Sequence, residues 1–161
     1  MNIEVRAARP EDLYAAARVL ATAFADYRQD FAAYFADVTD VHARVREAEL
    51  FVALDGDTVV GTGALYLPGR PAPEPWPAEW ASLRVLSVAP SHRGRGIGRL
   101  LIDARCRRAR EAGAAVVGLH TSPRFSIAHR IVSDLGWERA ADFDWYPVPE
   151  VLAEAWIRRL R

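Results

Sequence analysis

Glycine and arginine make up residues 93–99 apart from one isoleucine, in the order Arg-Gly-Arg-Gly-Ile-Gly-Arg. Glycine lacks a Cβ atom, so its backbone can turn tightly and lie close to a ligand. Guanidinium groups form paired hydrogen bonds with phosphate oxygens. A helix that begins near Gly98 points its free backbone N–H groups at the same place. These residue types and their spacing therefore predict an anion cradle suited to a diphosphate.

The segments on either side of this glycine turn must hold it in place. Residues 83–88, Leu-Arg-Val-Leu-Ser-Val, favour a strand, and Pro90 ends it because proline has no N–H to give to a sheet. Residues 98–113 predict a helix with Leu101 on its apolar face and a glycine at its end. Arg105 falls on that same apolar face, where the sequence gives no reason for it. The order is strand, glycine turn, helix.

Three kinds of glycine-rich phosphate site compete for this pattern. A P-loop requires Gly-Lys-Ser/Thr, which is absent, and the dinucleotide pattern G-x-G-x-x-G requires a glycine where Arg99 stands. What remains is Arg-x-x-Gly-x-Gly, filled by Arg93, Gly96 and Gly98. This motif resembles the acetyl-CoA-binding motif of the GCN5-related N-acetyltransferase (GNAT) superfamily. The alternative is a surface turn whose arginines are only solvated.

A second motif extends the resemblance toward the C-terminus. Superfamily members carry a helix that reads Asn-x-x-Ala-x-x-x-Tyr-x-x-x-Gly-Phe, often with leucine before the glycine. Ala128 and residues 135–137, Leu-Gly-Trp, match this pattern, with tryptophan in place of phenylalanine. Phe125 stands at the asparagine position and Val132 at the tyrosine position. The tyrosine usually proposed to protonate the leaving CoA thiolate is therefore missing.

The resemblance implies an α/β fold with a single GNAT domain over residues 1–161. Its expected element order is β-α-α-β-β-β-α-β-α-β-β. The centre would be a mixed, mostly antiparallel twisted sheet flanked by helices. The strand before the cradle would splay from the strand that ends at His120, and the gap would form the acetyl-CoA cleft.

The length and composition of the chain indicate a single domain. The chain has 161 residues and 51% hydrophobic content, which is enough for one core. Its 21 basic residues, all arginine, balance 21 acidic ones, so no net charge favours nucleic acid or an anionic membrane. The single cysteine, Cys106, predicts no internal disulfide and no cysteine-based metal site. Together with the lack of a signal peptide or membrane-spanning run, this indicates a cytoplasmic protein.

The first half of the chain predicts a strand, two helical regions and a hairpin. Ile3 and Val5 alternate with charged residues, and Pro10 opens the first helix. A second helical region covers residues 31–48, whose aromatic start is either core packing or a wall of the acceptor groove. The sequence Asp-Gly-Asp at 55–57 predicts the turn of a hairpin between two β-rich runs.

The loop that follows the hairpin is rich in proline. Residues 68–80 contain too many prolines for a helix or a central strand. Trp76 and Trp80 within it need cover, so they either pack on their own domain or contact substrate. We count both among the candidate substrate-binding residues.

The resemblance assigns the cosubstrate, acetyl-CoA, to the strand and the turn. The strand would lend backbone groups to pantetheine, and a backbone N–H there would hold the oxyanion. The turn would hold the diphosphate. The implied acetyl-CoA-binding residues are Leu86, Ser87, Val88, Arg93, Gly94, Arg95, Gly96, Ile97, Gly98 and Arg99.

Attack on a thioester requires a neutral amine, so a base is expected near the acetyl group. His120 occupies the position where ribosomal-protein N-terminal acetyltransferases of this superfamily carry a proposed catalytic glutamate. An ordinary histidine pKa near 6.5 suits a base at neutral pH, although a strand-end histidine can also be purely structural. Glu79 is a weaker candidate that would act through water. For the leaving thiolate, water, Ser133 or Tyr146 could replace the missing tyrosine.

The acceptor is expected to be a primary amine of a small molecule or a peptide N-terminus. Asp144 and Trp145 follow the Trp137 strand, where they could offer charge and an aromatic wall to a cationic amine. The alternative for these residues is a solvated loop. The resemblance also leaves a homodimer open.

Two other function classes were weighed against the enzyme. A non-catalytic acyl-CoA-binding module would keep the cradle and lose the acid and the base, and Val132 is its best support. A nucleic-acid binder would need a net positive domain with grouped basic residues, which the charge balance opposes.

Overall fold

The computed structural model of the protein describes residues 2–70, 72, 74–122 and 126–160. The order of strands and helices follows the prediction except for one additional helix after the first strand and one additional strand near the C-terminus. The strands are β1 (Ile3–Ala7), β2 (Glu49–Asp55), β3 (Thr58–Tyr66), β4 (Ala81–Val88), β5 (Val116–Thr121), β6 (Glu138–Arg139), β7 (Trp145–Val148) and β8 (Val151–Arg159). The helices are α1 (Leu13–Ala23), α2 (Ala32–Val38), α3 (Val41–Glu47), α4 (Ile97–Glu111) and α5 (Ser126–Asp134).

These strands form one sheet in the order β1-β2-β3-β4-β5-β8-β6, and β7 pairs with β8. Neighbours run antiparallel except for β4 and β5, which are parallel. The expected mixed, mostly antiparallel sheet is therefore confirmed. The C-terminal strand is also confirmed, although its alanine and leucine content favours a helix.

The two faces of the sheet are covered by different helices. Along β2, Phe51 and Ala53 belong to the core on the α4 side, while Leu50, Val52 and Leu54 belong to the core on the α1 side. This alternation follows from the two-residue period of a strand. α4 thus covers one face, and α1 with α2 and α3 covers the other.

The parallel pair β4 and β5 stays together for only part of its length. Pairing begins at Ala81 with Val117 and ends at Leu83 with Leu119. Both strands then continue, β4 to Val88 and β5 to Thr121, without pairing to each other. The sheet therefore opens at the carboxyl ends of these two strands, as the resemblance predicts for the cleft.

A β-bulge lies in β4 at the start of this opening. Thr62 pairs with Ser87 and Ala64 pairs with Arg84, so β4 contains one residue more than β3 across the same interval. Val85 within the bulge has a φ of 56°. A β-branched residue rarely adopts this left-handed conformation, and the sequence gives no sign of it.

The helical region predicted over residues 31–48 is present but divided. α2 ends at Val38, and Asp40 begins α3 by accepting a 3.0 Å hydrogen bond from the backbone N–H of Ala43. Aspartate is a strong N-cap because its carboxylate satisfies a free N–H of the first turn. The interpretation as one continuous helical region was therefore wrong at Thr39 and Asp40.

The predicted hairpin is confirmed. Residues 55–57 form the hairpin turn, with Gly56 in the left-handed region at a φ of 62°. The described residues of the proline loop contain no helix or strand. No helix in the described part of the chain is long and apolar enough to cross a membrane.

Candidate active site

The glycine turn has the backbone expected of an anion cradle. Gly94 and Gly96 have φ values of 75° and 79°, and Gly96 is the residue that caps the N-terminus of α4. Apart from its chain neighbours, no described residue has an atom within 4 Å of a Cβ built on either glycine, so the turn is open on that side. Glycine is needed here for its conformation, because other residues adopt a positive φ only with strain.

The turn forms one wall of a groove of about 490 Å³, and α5 forms the other. Arg93 and Arg99 line the groove from the turn, and Arg130 lines it from α5. Arg93 also donates a 3.2 Å hydrogen bond from Nε to the carbonyl of Val88. Arg95 is exposed and is not part of the lining, whereas the other residues assigned to the turn are.

Sequence reasoning missed Arg130, which is one of two charged residues contributed by α5, the other being Asp134. A single arginine is a weak signal in a chain whose basic residues are all arginine. The useful signal is helical spacing. Arg130, Asp134 and the adjacent Ile131 and Leu135 fall on one face of a predicted helix at intervals of one, three and four residues.

A second cavity of about 90 Å³ lies where β4 and β5 separate. Leu86 of β4 and His120 of β5 stand on its opposite sides in the opened sheet. We call this cavity the acceptor cleft. Its wall is completed by apolar and aromatic side chains from distant parts of the chain, which include Phe24, Tyr34, Val38, Trp145, Pro147 and Val151.

The three strand residues assigned to the cosubstrate divide between the two cavities. Leu86 lines the acceptor cleft and Val88 lines the arginine groove. Ser87 is buried between them, and its hydroxyl lies 3.4 Å from the carbonyl oxygen of Val85. The end of β4 therefore contributes to the lining of both cavities.

His120 is held with one ring nitrogen bonded and the other without a partner. Nε2 lies 2.7 Å from the carbonyl oxygen of Phe143 and must donate to it, because a carbonyl can only accept. Nδ1 is buried and has no hydrogen-bond partner among the described residues. Burial lowers the pKa of His120 below 6.5, against the opposing effects of the Phe143 carbonyl and Asp144. The ring is therefore neutral at pH 7 with its Nδ1 lone pair available.

Trp76 and Trp80 support His120 from outside the cleft. The Trp76 ring lies 4.5 Å from the His120 ring and 5.9 Å from the Trp80 ring, measured between centroids. A Cβ on Gly118 would come within 2.8 Å of Trp76, so glycine at 118 makes room for the indole. Neither tryptophan is part of the cleft lining. Of the two alternatives weighed for these residues, packing on their own domain is the one observed here.

The carboxylate in the cleft belongs to Glu74. Glu79 is exposed and does not line the cleft, whereas the Glu74 side chain is 7% exposed and does. Burial is the main cause that raises the pKa of Glu74, while Arg84 lowers it. Glu74 stands between two prolines of the proline loop. An acid within an otherwise apolar run is a signal that the sequence offered.

Arg84 holds Glu74 in place. Its Nε lies 2.9 Å from Glu74 Oε1, and its Nη2 lies 2.9 Å from Asp37 Oδ2. Glu74 Oε2 and Arg84 Nη1 are buried and lack hydrogen-bond partners within the described ranges. Buried polar groups without partners are rare in native proteins, and both residues line the cleft, so these two atoms are available to a water molecule or a ligand there.

Asp144 and Trp145 differ in what they can contribute. Both Asp144 oxygens lie 2.6 Å from the Arg139 guanidinium, and Oδ1 also accepts a 2.7 Å bond from the Ala155 N–H. Asp144 is therefore occupied by its own fold and does not line the cleft, whereas Trp145 does. The Arg139 hydrogen bond is also the main reason that the pKa of Asp144 is lowered.

Val132, at the superfamily's tyrosine position, is buried with 0% exposure, so it supplies no acid for a leaving thiolate. Ser133 donates a 2.8 Å hydrogen bond to the His129 carbonyl and does not line the cleft. Tyr146 is 59% exposed and lies outside the lining as well. Phe125, at the asparagine position, lies outside the described residues.

The structure thus has one cavity lined by the glycine turn and three arginines and another lined by His120 with its unpaired Nδ1. Residues 12–137 match the family model described as the acetyltransferase (GNAT) family. The chain belongs to that family. Among curated proteins, none matches the chain.

Solved structures agree with this fold at low sequence identity. Ard1 from Thermoplasma volcanium superposes with a TM-score of 0.74 at 20% identity and covers 100% of this chain and 99% of its own. The yncA structure from Salmonella typhimurium with its cofactor acetyl-CoA gives 0.69 at 16%, covering 100% and 95%. A GNAT family acetyltransferase from Brucella melitensis in complex with acetyl-CoA gives 0.63 at 24%, covering 85% and 83%.

Proposed function

We propose that this protein is an acetyl-CoA-dependent N-acetyltransferase whose acceptor is a primary amine of a small molecule or of a peptide N-terminus. The observation that carries the proposal is His120. Its Nδ1 is unpaired and neutral in a cleft that opens at the end of the cradle strand. A binding module has no use for such a base.

Acetyl-CoA fits the arginine groove and the strand that leads from it. The open glycine turn leaves space beside the N-terminus of α4, and Arg93, Arg99 and Arg130 offer guanidinium groups to the diphosphate. The parted ends of β4 and β5 admit the thioester arm to His120. The donor therefore enters at the groove, and the acceptor enters at the cleft.

The reaction requires an ammonium acceptor to lose two protons and one exchange of bonds. His120 Nδ1 removes the first proton, directly or through water, and the lone pair of the resulting neutral amine attacks the thioester carbonyl. The second N–H proton leaves the tetrahedral intermediate to water or to the departing thiolate. The new C–N bond forms, the C–S bond breaks, and its electron pair leaves with sulfur as the CoA thiolate. A thiol of pKa near 8.5 is an acceptable leaving group, so Val132 does not prevent the reaction.

The acceptor is bound beside a carboxylate and against aromatic walls. Glu74 is the carboxylate that lines the cleft in the described part of the chain, and its unpaired Oε2 can accept from an ammonium or an N–H group. Tyr34 and Trp145 offer flat apolar surfaces to the rest of the molecule. These features favour an amine with an apolar or aromatic body.

The proposal is tested by following thiol release from acetyl-CoA with a panel of arylalkylamines, alkylamines, amino acids, aminoglycosides and short peptides, with mass spectrometry of the products. We expect acetyl-CoA to bind and at least one primary amine to be converted to its acetamide. Matched amines with a tertiary nitrogen serve as controls and should remain unmodified.

A non-catalytic acyl-CoA-binding module is the second candidate, and Val132 at the tyrosine position favours it. The same assay separates the two functions. The module would bind acetyl-CoA in a calorimetric titration and release no thiol with any acceptor. It would also be insensitive to substitution of His120.

A further inference from the structure

Arg105 is a buried cation without a carboxylate partner in the part of the chain that the structure describes. It lies on the apolar face of α4 and is 1% exposed. The other fully buried arginine, Arg44, forms ion pairs with Asp37 and Glu47, but no ion pair involves Arg105. Burial lowers the pKa of Arg105 to about 10, so it remains charged at pH 7. Sequence reasoning left this residue unexplained.

Every described hydrogen bond of this side chain ends on a backbone carbonyl. Nε donates to Leu101 in its own helix at 3.0 Å. Nη1 donates to Ala64 of β3 at 2.8 Å and to Arg84 of β4 at 3.3 Å. Ala64 and Arg84 are the register partners on one side of the β4 bulge. The guanidinium therefore ties both strands together at the point where the bulge begins.

The neighbouring strand is shaped to admit this group. A Cβ on Gly63 would lie 2.6 Å from Arg105 Cζ, so a larger residue at 63 would displace the guanidinium. Gly63 is also the β3 residue that lies between the register partners of the bulge. The glycine in β3 and the arginine in α4 are thus complementary.

The bulge contains the strained residue of the sheet. Val85 has a φ of 56°, and the carbonyl that Arg105 holds belongs to the residue immediately before it. A β-branched residue in this conformation persists only where its surroundings determine it. Val85, Leu86 and Arg105 all line the acceptor cleft. The segment of β4 that Arg105 binds is therefore next to residues that line the acceptor cleft.

Packing alone does not account for an arginine at this position. An apolar side chain of similar size would fill the space without the desolvation of a charge, and such replacements are often neutral or stabilising. The property that only arginine supplies here is a rigid fork of donors that can bind several carbonyls at once.

We infer that Arg105 is a positioning residue, which binds the carbonyls of Ala64 and Arg84 and thereby fixes the Val85 bulge against which the acetyl thioester must lie. The inference rests on the proposed function, because it assumes that acetyl-CoA enters the cleft. Arg105 acts through the backbone of β4. Its loss should therefore change how the thioester carbonyl is oriented and polarised more than how tightly acetyl-CoA binds.

The test compares Arg105→Met with Arg108→Met, a matched substitution on the same helix whose side chain is partly exposed and pairs with Glu49. Three quantities are measured: the acetyl-CoA dissociation constant, kcat, and the stretching frequency of the bound thioester carbonyl by isotope-edited infrared spectroscopy. We expect Arg105→Met to bind acetyl-CoA within about threefold of the wild type and to lose about 10- to 100-fold in kcat. The carbonyl band should move toward its position in free acetyl-CoA.

Gly63→Ala provides a second variant that leaves Arg105 in the chain and displaces its guanidinium, so it should shift the same band in the same direction. Folding of each variant is checked by near-ultraviolet circular dichroism. A folded Arg105→Met or Gly63→Ala protein with wild-type kcat and an unmoved carbonyl band would overturn the inference. The infrared measurement needs no acceptor. If the wild type fails to bind acetyl-CoA, the proposed function fails; if it binds and the variants match it, only the role of Arg105 fails.

Discussion

The arginine groove and the acceptor cleft are built in opposite ways. The groove takes most of its lining from residues 88–99 and completes it with one face of α5. The cleft draws on residues from Phe24 to Ala153, contributed by both sides of the sheet. The groove presents backbone and exposed arginines, whereas the cleft contains buried charged groups with unpaired atoms.

This difference explains why one site is easier to recognise than the other. A backbone cradle requires glycines at fixed positions, and local sequence determines their conformation. A cleft of side chains requires tertiary contacts that bring distant residues together. The groove should therefore tolerate changes in the cleft, and the cleft should tolerate changes in the groove, which gives each prediction below a built-in control.

The largest effect is expected from His120→Ala. Loss of the general base should lower kcat by about 10²–10⁴-fold, since that is the usual contribution of such a group. Acetyl-CoA binding, measured by calorimetric titration, should be nearly unchanged because the groove is intact. His42→Ala, an exposed histidine on α3, is the matched control. A kcat of wild-type size in His120→Ala would remove His120 from the mechanism.

Gly96→Val should weaken the binding of acetyl-CoA, which His120→Ala should leave nearly unchanged. The left-handed conformation of Gly96 costs about 1–2 kcal/mol for a residue with a Cβ, and the valine would also face the groove. The strain lowers stability, whereas the valine side chain in the groove opposes binding, so we expect the dissociation constant for acetyl-CoA to rise at least tenfold, which corresponds to about 1.4 kcal/mol.

Gly56→Val is the control for this strain. Gly56 has a φ of 62° in the hairpin turn, away from both cavities, so the same substitution should lower the melting temperature without weakening acetyl-CoA binding. Equal binding by Gly96→Val and the wild type would show that the groove does not hold the donor.

Glu74→Gln should weaken the binding of the acceptor and leave the binding of acetyl-CoA unchanged. A hydrogen bond to a charged group contributes about 1.5–3 kcal/mol, so we expect the acceptor KM to rise about tenfold or more while the KM for acetyl-CoA stays constant. Glu79→Gln is the control, because Glu79 belongs to the same loop and is exposed. If Glu79→Gln raises the acceptor KM more than Glu74→Gln does, Glu74 is not the carboxylate that binds the acceptor.

The parts of the site that were predicted from sequence depend on local residues, whereas the parts that were missed depend on tertiary contacts. The glycine turn and the strand ending at His120 follow from local propensity, and both are present. Glu74 was missed because its burial depends on Arg84, a partner ten residues later in another element. The conformation of Val85 could not be predicted, because its φ contradicts the propensity of valine and the hydrogen bond beside it, from Arg105 to the Arg84 carbonyl, is a tertiary contact.

The pH dependence of kcat/KM should show whether His120 is the general base. Burial lowers the pKa of His120, and its neutral form is the active one, so kcat/KM should be constant near pH 7 and fall on an acid limb below pH 6.5. On this limb, kcat/KM should fall by a factor that approaches ten for each decrease of one pH unit. Asp144 opposes this shift and Arg139 adds to it. His120→Gln should abolish the limb, and persistence of the limb in that variant would assign it to another group.

The smallest effect is expected from Asp144→Asn, which the sequence placed with Trp145 in the acceptor site. Asp144 already binds Arg139 and the Ala155 N–H and does not line the cleft, so it is not placed to bind an amine there. The acceptor KM should change less than about twofold, while loss of this partly exposed ion pair should lower stability by about 1 kcal/mol, or about 2–4 °C in melting temperature.

Trp145→Ala is the comparison, because Trp145 lines the cleft and its truncation should raise the acceptor KM. The two residues are adjacent in sequence, so a shared effect on KM would mean that the loop binds the acceptor as a unit. A divided effect would assign recognition to the indole and folding to the carboxylate.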